Sequence, residues 1–493
     1  MIYWSRRASI GLCLVVIGML AAQSVRGQDG SRLPGSVFDI FNEAGLARTI
    51  NTAGFPVVAG DNPFFRDLGV NGRRCVTCHQ PVNNMTVSAL GIRLRFVATG
   101  GTDPIFRVND GSNSPLADTS TFQARLRAYS MLLGKGVIRV GISVPQTNEF
   151  ELVAVDDPYG YAGHNDNGNQ LSLFRRPLPA TNLDFLTTVM WDGRETLQKG
   201  SSAAIHFDLA DQSNSATQGH AQRPSPIDED TRDQIVAYEF GNFTAQIVDR
   251  SAGDLHAAGA QGGPEILSDR MFVFGTNDPL GCDPTATTCT GSNPNFNPIV
   301  FTEYSAWAQL PPRRDAARAA IARGEDLFNT LAIPIVAVSG INDDFGGPGN
   351  FNVPIVGTCT TCHDTPHAGD HSVPAPLDIG IAEPPVPIAQ GGDGVHNRFG
   401  LPVGDMPVYT FRNTATGEIK VVTDPGRALI SGHWKDIGRF KGPILRGLAG
   451  RAPYFHNGSA ASLRDVVNFY DLRFGLHLTE GQKSDLVAFL RSL

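Results

Sequence analysis

Cys359-Thr360-Thr361-Cys362-His363 is the stretch on which the architecture turns, and Cys75-Val76-Thr77-Cys78-His79 repeats its pattern earlier in the chain. C-x-x-C-H is the haem-attachment signature. Two thiols three positions apart reach the two vinyl groups of one porphyrin and form thioethers. The adjacent His then lies under the ring as iron ligand. The other chemistry for paired cysteines is a tetrahedral zinc, which needs both pairs to converge on one metal. Here the pairs are far apart and each carries its own His. Two covalently bound haem c groups are expected, with His79 and His363 as proximal ligands.

The chain around these motifs reads as an exported protein. Arg6 and Arg7 form a positive start, Ile10 to Ala22 is a short apolar run, and small or polar residues follow to Gly27. Residues 1–27 are therefore expected to be a cleaved signal peptide. The run is too short for a comfortable membrane anchor. Ser5-Arg6-Arg7 resembles a twin-arginine signal, but haem c is attached to an unfolded exported chain, so the general secretory route is expected. Cys13 would leave with the signal. Cys282 and Cys289 then remain beside the four motif cysteines, close together in a Gly/Pro/Thr-rich stretch. In an oxidising compartment they are expected to form a loop disulfide, the other reading being two free thiols.

The 493 residues suffice for two or three domains. A net charge of −8 without a basic stripe argues against nucleic acid. With 18% charged residues and no second long apolar segment, a soluble periplasmic protein without a stable membrane span is expected.

Asp315 to Asn329 has helical periodicity with one apolar face. Ser462-Leu463-Arg464-Asp465 and Thr479-Glu480-Gly481-Gln482 are capping-box patterns ahead of two further amphipathic helices. Helix, haem motif, ligand-bearing helix and terminal helix is the order of a cytochrome c domain, and Gly324 facing Phe489 is the expected helix crossing. The first haem region repeats this loosely, with Val37 to Leu46 as a leading helix. Gly136 to Val144 and Phe150 to Val155 read as strands of an insertion or hairpin over the haem. Residues 251–300 read as a long loop. The predicted fold is mainly α: an N-terminal haem domain over 28–310 with insertions and a small β element, and a C-terminal cytochrome c domain over 311–493.

Three stretches together resemble the bacterial di-haem cytochrome c peroxidase family, which includes the di-haem enzyme of methylamine utilisation. They are the two haem motifs, Met190-Trp191-Asp192-Gly193-Arg194, and Gly438 to Arg446 followed by Ala452-Pro453-Tyr454-Phe455-His456-Asn457-Gly458-Ser459. These match the family's F-W-D-G-R, R-F-K-x-P-x-L-R and P-Y-F-H-D-G-S segments. Latex-cleaving di-haem oxygenases share the architecture, so the resemblance alone leaves the reaction open.

The resemblance implies a reactive first haem and an electron-transferring second one, with Trp191 between them, pinned by Asp192 and Arg194. It places the second haem's sixth ligand seventeen residues past Pro453, which is Tyr470. Leu463, Val466, Val467 and Tyr470 share one helical face, so a plain core tyrosine is the competing reading. Met406, His433 and His456 are rival ligands, His456 with a structural role as its main alternative. The family's movable His after the first haem motif has no counterpart among Ala89 to Phe96, which implies an open iron there, with Met85 as an alternative ligand. The family's distal Glu is also missing. Its neighbourhood holds His206, Asp208, Asp211, Gln212, Gln218 and His220; Asp211 has the matching spacing and His220 the better pKa for proton transfer. The family's calcium would sit on the backbone carbonyls of Arg451 and Pro453. His367 and His371 read as surface residues. The function implied is peroxide reduction at the first haem, fed by a small cytochrome c or cupredoxin-type donor and carried out as a homodimer. The alternatives are an oxygenase or protein-modifying oxidase using oxygen or peroxide, and a pure electron-transfer cytochrome.

Overall fold

A computed structural model describes residues 35–163, 169–282, 289–311, 313–344 and 351–493. The export-signal reading of residues 1–27 lies outside them. All described residues belong to one compact unit, Leu33–Leu493.

The second haem region builds as its local signals dictate. The helices Ala316–Thr330, Leu463–Phe474 and Glu480–Ser492 pack around one core. Both predicted capping boxes form: Ser462 accepts from Asp465 N–H, and Thr479 from Gln482 N–H. The first and last of these helices cross at Gly324. A Cβ there would lie 2.0 Å from the Asp485 carbonyl oxygen and 2.7 Å from Phe489 Cβ, so only glycine permits the approach. Phe489, fully buried, packs on Phe301 and Phe328. Burial of such a ring stabilises by about 1.5–3 kcal/mol.

The fold is not mainly α. Among the described residues eleven α-helices accompany eleven strands in four sheets. Val37 to Leu46 is not a helix. Val37–Asn42 and Gly45–Asn51 form an antiparallel hairpin, which the strand Asn242–Asp249 extends. The first strand alternates in exposure along its length, the period of a sheet with one covered face. The two strands predicted over the haem exist, but they do not pair with each other. Ile138–Ser143 pairs with Gln170–Arg175, while Phe150–Asp156 pairs with Val408–Asn413 from the second half of the chain. Cys282 and Cys289 are disulfide-bonded. Between residues 251 and 300 the described chain is mostly loop, with the short helix Pro264–Ser268.

Two further helices, Ser202–Gly219 and Glu229–Gly241, are capped by Ser201 and Asp228 and pack on each other. They bring the residues that follow Trp191 over the first haem motif. Among the described residues no helix is long and apolar enough to cross a membrane.

Candidate functional site: two motif-lined cavities sharing one wall

Each C-x-x-C-H stretch folds into a single tight helical turn capped by the threonine just before its second cysteine. Arg74 N–H donates to Thr77 Oγ1 at 2.9 Å, and Thr358 N–H to Thr361 Oγ1 at 2.9 Å. His79 N–H and His363 N–H close the turns onto Cys75 and Cys359. Two cysteines and a histidine thus face one side, where each motif borders a cavity.

The second cavity is lined by Cys359, Cys362, His363 and mostly apolar side chains. Burial pushes both of its thiols up to about 12 and holds His363 down to about 4, so the imidazole is neutral, the form that ligates iron. His363 Nδ1 lies 2.5 Å from the Gly369 carbonyl. That bond fixes the tautomer and leaves Nε2 for a metal. These residues fit a haem c.

The first cavity has Cys75, Cys78 and His79 in its wall, and burial holds His79 down to about 4. His79 Nδ1 is buried without a partner. Cationic side chains are frequent around it, including Arg66, Arg73, Arg176 and Lys441. This cavity also suits a porphyrin, whose propionates are anionic.

Trp191, Lys441 and Pro443 border both cavities. The Trp191 carbonyl accepts from Lys441 N–H at 2.9 Å, and its indole Nε1 donates to the Arg176 carbonyl at 2.8 Å. Asp192 and Arg194 do not hold the indole. Asp192 pairs with Arg194 and with Arg175, whose guanidinium also forks onto Asp424 at 2.7 and 2.9 Å. The segment is clamped through its backbone and its acid, and the ring through another residue's carbonyl.

Of the distal candidates, Gln212 and His220 reach the first cavity. His220 Nδ1 lies 2.5 Å from Asp110 Oδ2, and Asp110 pairs in turn with Arg73. Burial pushes the Asp110 carboxyl up, but Arg73 and His220 outweigh it and leave it below its ordinary value. Asp211 does not line the cavity. It lies beside Glu195 and Asp208. Asp208 caps Leu197 and Gln198 N–H, and His206 stacks on Phe240 with ring centroids 3.6 Å apart. Glu239 is a lining residue that the sequence reading missed. It is buried with no hydrogen bond to its carboxyl among the described residues, and burial pushes it up to about 8. Its place in an ordinary helix, far along the chain from the motif, gave no signal.

Tyr470 and His456 both line the second cavity. Burial raises the Tyr470 phenol, and no hydrogen bond holds its hydroxyl among the described residues. His456 stacks on Phe440 at 3.9 Å, edge-on to Trp191; neither ring nitrogen is hydrogen-bonded, and Nε2 lies 3.9 Å from Asp424 Oδ2. Met406 is buried in the core away from the cavity, and His433 is exposed against Glu149. Met85 packs behind the first cavity with Phe64 and Tyr238. His371 is not a surface residue: it is buried against Asp364 and borders the second cavity. His367, partly buried, pairs with Glu303.

The calcium expectation meets a competing partner. The Arg451 carbonyl accepts from Arg176 Nη2 at 2.8 Å. No group of three or more His, Cys, Asp or Glu suited to a metal ion occurs among the described residues.

No family model matches the chain. It is 31% identical over 144 residues to cytochrome-c peroxidase IdrP2 of Denitromonas iodatirespirans, a match covering 28% of this chain and 36% of that protein. Cytochrome-c peroxidase IdrP1 of Pseudomonas sp. (strain SCT) is 31% identical over 150 residues, covering 27% and 36%. The matches thus span little more than a third of those relatives' length. The solved structure of a MauG-like protein associated with microbial copper homeostasis aligns at 17% identity and a TM-score of 0.28, over 65% of this chain and 76% of that one. Over these roughly 150 residues, the chain is similar in sequence to bacterial cytochrome-c peroxidases.

Proposed function

We propose that the chain is a periplasmic di-haem peroxidase, with one haem c on Cys75, Cys78 and His79 and another on Cys359, Cys362 and His363. The observation that carries this reading is the common wall, since Trp191 and Lys441 border both motif-lined cavities. The haem-bearing domains are residues 28–310 and 311–493, behind a signal peptide over 1–27. When bound, haem supplies an iron that reacts with hydrogen peroxide at the first site and exchanges electrons at the second.

The chain's own groups divide the remaining work. His220 borders the first cavity with its Nδ1 committed to Asp110. Its other nitrogen is free to take a proton from one peroxide oxygen and deliver it to the other. Trp191 is held rigidly as the crossing point for an electron between the cavities. Tyr470, with its hydroxyl unengaged, would help hold the second haem through its phenolic oxygen. Electrons come from a small cytochrome c or cupredoxin-type donor, and the working form is a homodimer.

Tyr470 also favours a second reading, a protein-modifying oxidase or oxygenase on the same scaffold. A phenolate ligand favours ferric and higher states and makes a poor high-potential electron store. The test uses purified holoprotein. A pyridine haemochrome should report two haem c per chain, and peroxide should be consumed while a reduced cytochrome donor is oxidised. Consumption without donor oxidation would favour the second reading. A resting spectrum with only low-spin bands, inert to peroxide and cyanide, would sink both.

A further inference from the structure

Arg176 is buried, 6% exposed, and no carboxylate pairs with it among the described residues. A guanidinium so placed is expensive to bury unless its N–H groups are satisfied. Backbone carbonyls satisfy them. Nη1 donates to Lys135 and Gly136 O, each at 3.3 Å, and Nη2 donates to Val87 O at 2.6 Å and Arg451 O at 2.8 Å. Three of these carbonyls come from the first half of the chain and one from the second. A nest of carbonyl oxygens is what a hard cation takes; here it holds an organic one.

We propose that Arg176 is the cation that ties the two haem-bearing halves together, and that the chain holds no calcium at Arg451 and Pro453. The donor set agrees. Calcium takes six to eight oxygens, usually with carboxylates among them. The Arg451 carbonyl is engaged, and the Arg451 guanidinium is itself buried nearby, donating to Ile444 O at 2.9 Å. A divalent ion would sit beside two buried positive charges with no acid to balance them. One oxygen argues the other way: Asn84 Oδ1 is buried without a partner, although its amide nitrogen donates to Gly447 O at 2.8 Å. A single neutral oxygen does not replace the missing shell.

The test needs no knowledge of the reaction. Holoprotein dialysed against chelator-free buffer should contain well under one calcium per chain by elemental analysis. Its melting temperature should be the same in EGTA and in millimolar calcium. One calcium retained per chain, or a melting temperature that falls in EGTA, would overturn the proposal. Arg176→Met should lower the melting temperature by about 5 °C or more, and Arg176→Lys by less, because an ammonium still donates to some of the carbonyls. If Arg176→Met melts like the parent, Arg176 is no tie. If it fails to fold, the calcium measurements and the lysine variant still decide.

Discussion

The indole Nε1 of Trp191 donates to the main-chain carbonyl of Arg176 at 2.8 Å. One residue thereby serves both halves: its carbonyl orients the ring between the cavities, and its side chain gathers carbonyls from either side. Trp191→Phe keeps an aromatic ring and loses the bond, the indole and some of its volume. Both haem spectra should stay unchanged while donor-linked peroxide turnover falls by at least about tenfold. Unchanged turnover would remove Trp191 from the electron path.

In the proposed peroxide chemistry, His220 and Asp110 are the proton-handling pair. His220→Ala should slow the reaction of the ferric protein with peroxide by about 10²- to 10⁴-fold. Asp110→Asn should give a smaller loss together with a shifted pH profile, because the imidazole loses the carboxylate that orients it. Stopped-flow mixing over pH 5–9 reads both. A full rate in His220→Ala would point to Glu239 instead.

At the second cavity, Tyr470→Phe should change the absorption and paramagnetic resonance of one haem and leave the other untouched. Stability should change little, since the hydroxyl engages no other group. A spectrum identical to the parent would shift the ligand assignment to His456, whose ring nitrogens in that wall make no hydrogen bond.

Glu325 is buried, and its Oε2 accepts from Tyr304 N–H at 2.8 Å. Burial, with Glu303 adding to it, pushes its carboxyl up to about 8. Because the folded pKa is raised, its contribution is fully present below the ordinary value near 4.5 and is lost as pH rises towards 8. Glu325→Gln keeps the acceptor and removes the ionisation. The variant should gain on the order of 2 kcal/mol relative to the parent at pH 8 and little at pH 4. Denaturant melts at the two pH values check this, and an equal effect at both would contradict it.

Gly324→Ala should destabilise by about 1–3 kcal/mol, because the added methyl meets the Asp485 carbonyl of the crossing helix. Thermal unfolding measures it. A neutral result would mean that the helices separate at little cost.

The legible parts of this chain were those written locally. The capping boxes at Ser462 and Thr479, the periodic face before Gly324 and the two haem motifs each lie within a few residues, and each formed. Val37 to Leu46 departs from its helical reading: Val37–Asn42 pairs with Gly45–Asn51, and that second strand is held on its far side by Asn242–Asp249, a pairing across some two hundred residues that no local pattern announces. The candidate site divides the same way. Tyr470 could be counted from a motif. The partnership of His220 with Asp110, the carbonyl nest of Arg176 and the entry of Glu239 into the first cavity are products of tertiary folding. Asp211 had the right spacing, but the helix Ser202–Gly219 turns Gln212, Ser213 and Ala216 to the cavity instead.

Strand Val408–Asn413 pairs with Phe150–Asp156, and Lys441 and Pro443 complete the wall of the first cavity. This bears on how the molecule matures. The wall of the pocket around Cys75 is complete only once the chain has passed Pro443, nearly nine-tenths of its length. Because Lys441 and Pro443 border the second cavity as well, one late segment closes both.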